Sequence, residues 1–112
     1  MKTKPRNAKD AYQKEIDAAD QLRDTGQLDA AVLAYQAIIS VAPNVALAHY
    51  KLGTAYQRAN RLEEAAESFK LAINLRPGYP EANNNLGIIL SKQGNDADAE
   101  QIKLEVATET FC

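Results

Sequence analysis

The chain has little of what catalytic sites are made from. Its 112 residues include one histidine, His49, and one cysteine, Cys112, at the last position. A lone thiol excludes an internal disulfide, and Cys112 has no local histidine to activate it. No second ligand stands at metal spacing from His49, which reads as a packed structural residue. There is no glycine-rich phosphate loop and no nucleophile elbow. Carboxylate pairs such as Glu63–Glu64 sit where acidic groups favour a helix start, so they do not mark acid–base chemistry. No segment approaches the ~20 apolar residues of a membrane span. The 13 basic and 15 acidic residues leave a net charge of −2, which excludes a broad positive field for nucleic acid or anionic lipid. Only residues 1–9 are basic, through Lys2, Lys4, Arg6 and Lys9; no apolar run follows, so they read as a flexible leader and not a secretory signal. The expectation is a cytoplasmic non-enzyme with no cofactor, no metal, no nucleic-acid partner and no membrane partner.

What the chain does have is a period of 34 residues. Gly26, Asn60 and Gly94 recur at that interval, as do Leu22, Tyr56 and Leu90, and Ala31, Ala65 and Ala99. Pro43 returns as Pro77, and Leu52–Gly53 as Leu86–Gly87. A period of this size marks a stacked array of helix pairs. In the middle unit, Leu52, Ala55, Tyr56 and Ala59 share one face of a helix spanning 46–59. Ala65, Ala66, Phe69, Ala72 and Ile73 share one face of a second, spanning 62–75. Gly26, Asn60 and Gly94 are expected to close helices in the left-handed conformation. Pro43 and Pro77 should stop the second helices. Gly53 and Gly87 fall inside helices, where glycine costs ~1 kcal/mol against alanine, and so predict close helix crossings.

At these residues the chain resembles the tetratricopeptide repeat family. The middle unit fits best, at Leu52, Gly53, Tyr56, Ala65, Phe69, Ala72 and Pro77, with His49 where the family usually has tryptophan. The first unit fits at Leu22, Gly26, Leu28, Ala31, Tyr35 and Pro43, but has Ala18–Ala19 in place of Leu–Gly. The third fits at Leu86, Gly87, Leu90, Gly94 and Ala99 and departs at Asp96 and Lys103. The resemblance implies an all-α, right-handed superhelical solenoid of three antiparallel helix pairs. The repeats would span about 12–45, 46–79 and 80–112, within a single domain over 10–112.

The resemblance also implies that the first helix of each unit lines a concave groove that binds a peptide or protein segment. By register, the groove takes Gln13, Ile16, Asp17, Asp20, Arg23 and Asp24 from unit one. Unit two supplies Leu47, Tyr50, Lys51, Thr54, Gln57 and Arg58. Unit three supplies Glu81, Asn84, Asn85, Ile88, Ser91 and Lys92. Ile16, Leu47, Tyr50 and Ile88 are apolar groups among polar ones, as binding surfaces tend to be. Asn84 and Asn85 offer donor and acceptor together, which suits an extended backbone. Some members of the family hold acidic C-terminal tails of chaperones in a carboxylate clamp. The corresponding positions here include Asp20 and Glu81, which would repel such a tail. The groove instead grades from acidic in unit one to basic further along, which suits a ligand of mixed charge.

The array's C-terminal end supports an alternative. The last expected helix, about 96–110, carries Ile102, Leu104 and Val106 with no later helix to cover them. A homo-oligomerising or domain-docking role is therefore the second expectation, with weak self-association at that end. Cys112 would lock such a dimer only incidentally, under oxidising conditions. By analogy with the family, the segment would also serve as the interaction part of a larger protein.

Overall fold

The computed structural model describes residues 11–94. The basic leader and the expected last helix, with its self-association surface and Cys112, lie outside the described residues. Five α-helices follow one another, and no strand occurs among the described residues. They are α1 (Gln13–Asp24), α2 (Leu28–Val41), α3 (Ala46–Arg58), α4 (Leu62–Leu75) and α5 (Pro80–Gln93). Each packs against the next in the chain, and α1 also meets α3. The array is a helical solenoid with its core running between successive helices.

The turns show why the period is 34. After α1, the Gln27 amide donates to Leu22 O at 2.8 Å and the Gly26 amide to Arg23 O at 3.1 Å. After α3, the Arg61 amide donates to Tyr56 O at 2.9 Å and the Asn60 amide to Gln57 O at 3.0 Å. Both are Schellman closures, which need a positive φ at the residue after the cap. Gly26 supplies it at 85° and Asn60 at 60°. The third member of the set departs from expectation. Gly94 has φ −61° and ψ −36°, ordinary right-handed helix. Helices α2 and α4 stop at Ala42 and Arg76, both with φ −138°, directly before Pro43 and Pro77. The ring of each proline disfavours helix at the residue before it.

Small residues let the helices close on one another. Ala19, Ala31, Ala48, Ala55, Ala65, Ala72 and Ala82 are all fully buried. Helix axes approach as near as the side chains at the crossing allow, so alanine there means tight packing. Tyr35, Phe69, Ile16 and Ile89 are the large side chains sealed among them. Each contributes ~1.5–3 kcal/mol through burial of apolar surface. Gly53 is at a close crossing, since a Cβ there would fall 2.6 Å from the Phe69 ring. Gly87 is not, among the described residues: nothing lies within 4 Å of its Cβ position. The difference lies in the partner. Phe69 comes from α4, whereas the repeat counterpart of α4 in unit three lies outside the described residues.

Candidate functional site

The side chains expected to line the groove fall into two groups. On α1 and α3 they are bound to one another. Asp20 accepts from the Tyr35 hydroxyl and, at 3.0 Å, from Lys51 Nζ. Arg23 Nη1 lies 3.8 Å from the same carboxylate and donates to Thr54 Oγ1 at 2.8 Å. Arg58 Nη1 donates to Asp24 Oδ1 at 2.9 Å. The Lys51–Asp20, Arg23–Thr54 and Arg58–Asp24 links join unit one to unit two across a near-repeat separation of 31 or 34 residues. That separation follows from the fold, since α1 and α3 are successive first helices lying side by side. The acidic and basic groups of the groove at Asp20, Asp24, Lys51 and Arg58 therefore neutralise one another. Asp20 pairs with Lys51, Thr54 with Arg23 and Arg58 with Asp24, so the expectation of a mixed-charge ligand loses part of its support.

Burial shapes the titration of this seam. Burial of Tyr35 and its hydrogen bond to Asp20 push the phenol above its ordinary range. The Arg23 hydrogen bond, reinforced by Arg58, holds the exposed Asp24 carboxyl below the usual carboxylate range.

Ile16 requires a correction. It was expected on the groove surface but is fully buried in the core with Ala19. Three residues on a helix bring the two onto one face, so the core stripe includes both. That spacing was visible in the sequence.

The second group lies on α3 and α5. Leu47 and Tyr50 are half-buried and pack against the core. The Tyr50 ring centroid stands 5.8 Å from that of Phe69 and 5.2 Å from that of Tyr79. Tyr79 is buried just ahead of α5, and the Arg76 guanidinium lies 4.7 Å over its ring. Burial raises the Tyr79 phenol, with the Glu81 charge adding to it. Tyr79 escaped the sequence reading although the period would have found it. It stands 34 residues after Val45, and both are 4% exposed.

Beyond this aromatic cluster, Asn84, Ile88 and Lys92 are exposed on α5, and Asn85 is half-buried. A shallow hollow of about 480 Å³ is lined by Asn83, Asn84, Gly87, Ile88, Ser91 and Lys92. Asn85 is not among its lining residues: as successive residues of a helix, the two asparagines singled out together point about 100° apart around its axis. Gly87 has no side chain to fill that hollow, a role the close-crossing argument missed. Its signal was the spacing 83, 84, 87, 88 and 91, which is one helical face.

His49 is packed, as its sequence context suggested. It is 7% exposed, with Nε2 hydrogen-bonded to Pro43 O at 2.9 Å. Among the described residues no three histidine, cysteine or acidic side chains gather as a metal site. No helix among them is long and apolar enough to cross a membrane.

Fold and seams together define a repeat protein built of helix pairs. Residues 16–80 match the tetratricopeptide repeat family, and residues 68–101 match a second pattern of the same description. The chain belongs to the tetratricopeptide repeat family. It is 30% identical over 96 residues to a tetratricopeptide repeat and J domain-containing co-chaperone of Cryptococcus neoformans, covering 85% of this chain and 18% of that protein. The Fusarium oxysporum protein of the same description is 32% identical over 82 residues, 73% of this chain and 16% of the relative. A peroxisomal targeting signal receptor of Candida albicans is 31% identical over 62 residues, 55% of this chain and 10% of the receptor. The chain thus spans less than a fifth of the length of these relatives. Repeats of this family generally mediate contacts between proteins.

Proposed function

We propose that this chain binds an extended peptide or protein segment along α3 and α5, without catalysing a reaction. One observation carries the reading. Asp20 and Asp24 of α1 are matched by Lys51 and Arg58 of α3, whereas Asn84, Ile88 and Lys92 remain exposed around an open hollow. Ile88 is an apolar side chain left 42% exposed between polar neighbours. Asparagine amides beside such a group can bracket a backbone while the apolar contact supplies affinity. The names of the relatives, a targeting signal receptor and a co-chaperone, agree with a protein ligand. The cytoplasmic setting expected from the sequence belongs to the same proposal.

The reading is tested with a peptide array probed by the 112-residue chain. Ile88→Asp and Asn84→Ala should each weaken capture of the selected peptides about tenfold, the effect of losing ~1.4 kcal/mol. Arg58→Ala should leave capture unchanged. Both groove substitutions are at exposed positions, so circular dichroism should report unchanged helicity. Equal capture by all variants would remove the proposal.

A further inference from the structure

The hollow over Gly87 has a counterpart in unit two, and there it is filled. A Cβ at Gly53 would fall 2.6 Å from the Phe69 ring, whose centroid stands 5.8 Å from that of Tyr50. Phe69 belongs to the second helix of its own unit, α4, which returns along α3 after the left-handed turn at Asn60. One repeat on, Gly53 becomes Gly87, Tyr50 becomes Asn84, Asn60 becomes Gly94 and Phe69 becomes Lys103. Gly87 and Asn84 both line the hollow of about 480 Å³. The interval from Gly53 to Phe69 equals that from Gly87 to Lys103. Unit three therefore has the length of chain needed to fill this space itself.

Two observations set the units apart. The first is the turn. Gly26 and Asn60 reverse the chain with φ of 85° and 60°, whereas Gly94, with φ −61° and ψ −36°, keeps the right-handed conformation of α5. Glycine enters either conformation without steric penalty. The second is the occupant. Burial of the Phe69 ring favours closure of unit two. A lysine offers only its aliphatic stem, because its ammonium stays in water. A residue that turns either way and a weak reason to turn make a hinge.

We infer that Gly94 is this hinge and that residues 95–112 are a built-in competitor for the hollow over Gly87. With Gly94 right-handed, the hollow is open. With Gly94 left-handed, the chain returns along α5 and the Lys103 stem lies over Gly87, as Phe69 lies over Gly53. The closed form agrees with the family match over residues 68–101, which runs straight through Gly94. The occupant is the chain's own continuation and not a foreign helix, because Phe69 packs within its own unit and Lys103 stands at its register. The consequence rests on the proposed peptide binding at α5. Closure covers Asn84 and Gly87, so tail and ligand exclude each other. The apparent affinity then scales with the fraction of chains in which the hinge is open.

The test uses the 112-residue chain and two substitutions that push the hinge in opposite directions. Lys103→Phe supplies the ring and should close it. A nuclear Overhauser contact should join the introduced ring to the Gly87 Hα protons. Capture of the array-selected peptides should fall about tenfold, as the open fraction falls by that factor. Gly94→Ala opposes the left-handed turn, because a Cβ penalises that conformation. Added to Lys103→Phe, it should abolish the contact and return capture to the parent's level. The inference is overturned if the introduced ring makes no contact with Gly87, or if the contact survives Gly94→Ala. It is equally overturned if the contact forms while capture stays at the parent's level. Absence of capture by the parent itself would remove the ligand site and with it the competition, while the Gly87 contact would still decide the hinge.

Discussion

Between α1 and α3 the chain sets charges against one another; between α3 and α5 it sets rings. The first seam holds Asp20 with Lys51, Arg23 with Thr54 and Asp24 with Arg58. The second holds Tyr50 between Phe69 and Tyr79, with Arg76 over Tyr79. The first links the first helices of units one and two directly, whereas the second runs from α3 through Phe69 of α4 to Tyr79, just ahead of α5. They also differ in side-chain chemistry. A charged seam neutralises its own surface and leaves little for a charged ligand. An aromatic seam secures the helices through burial and leaves the neighbouring face of α5 free of internal obligations. A polar first helix in such an array is thus a binding surface only where the next helix has not already answered its charges.

The largest effect should come from the aromatic seam. Phe69 is fully buried, touches Tyr50 and fills the space over Gly53. Phe69→Ala should destabilise the chain by ~3–5 kcal/mol in urea unfolding. Repeats are stabilised by their neighbours, so units two and three should loosen together. A denaturation midpoint equal to the parent's would mean that the rings do not hold this seam.

The charged seam should respond less and in a different way. Asp20→Ala removes the acceptor of Tyr35 and Lys51 together and should cost ~1.5–3 kcal/mol, the usual range for hydrogen bonds to a charged group. Its carboxylate is 20% exposed, so salt screens it less than a surface pair. Arg58→Ala, at a pair that is about half exposed on both sides, should leave the midpoint where it was. If the two substitutions had the same effect, the seam would be a set of independent surface pairs, and burial would not grade it.

How much of this was legible follows the same division. The period fixed the helices almost to the residue, because Gly26, Asn60, Pro43 and Pro77 act locally and the core stripes repeat every 34 residues. Tyr35, Tyr56 and Phe69 are buried, as their helical spacing required. The site was less legible. Register places Asp20 and Lys51 on first helices but does not say that α1 and α3 stand close enough for them to pair. Family register alone puts Ile16 in the groove, although its spacing of three from Ala19 sets both on the core stripe. Gly87 shows the limit of reasoning from a repeat: the residue that corresponds to Phe69 in unit three is Lys103, which lies outside the described residues.

The two glycines give a smaller effect whose sign separates the units. Gly53→Ala would push a Cβ against the Phe69 ring and should cost ~1–3 kcal/mol through overpacking. Gly87→Ala meets nothing among the described residues and should gain ~0.5–1 kcal/mol from the better helix propensity of alanine. It would also narrow the hollow beside Ile88, so a stabilised chain with weaker peptide capture is the expected pair of results. Destabilisation by Gly87→Ala would restore the close crossing that the repeat suggested.

The most delicate difference is a slope with pH. Tyr35, in the charged seam, has its phenol raised by burial and by the carboxylate of Asp20. In the unfolded chain a tyrosine loses its proton near pH ~10. Above that pH the folded chain still holds the proton that the unfolded chain has released. The folded state then binds more protons, so stability falls as pH rises, by up to ~1.4 kcal/mol per pH unit for one group. Below that pH the contribution is fully present. Tyr35→Phe keeps the ring and removes the titrating hydroxyl, so the loss of stability between pH 9 and 11 should be shallower than in the parent. It should not vanish, because Tyr79 in the aromatic seam is raised as well, through burial. A Tyr35→Phe chain with the parent's alkaline slope would show that the Tyr35 proton is not held by the Asp20 seam, and that alkaline loss of stability belongs to the rings alone.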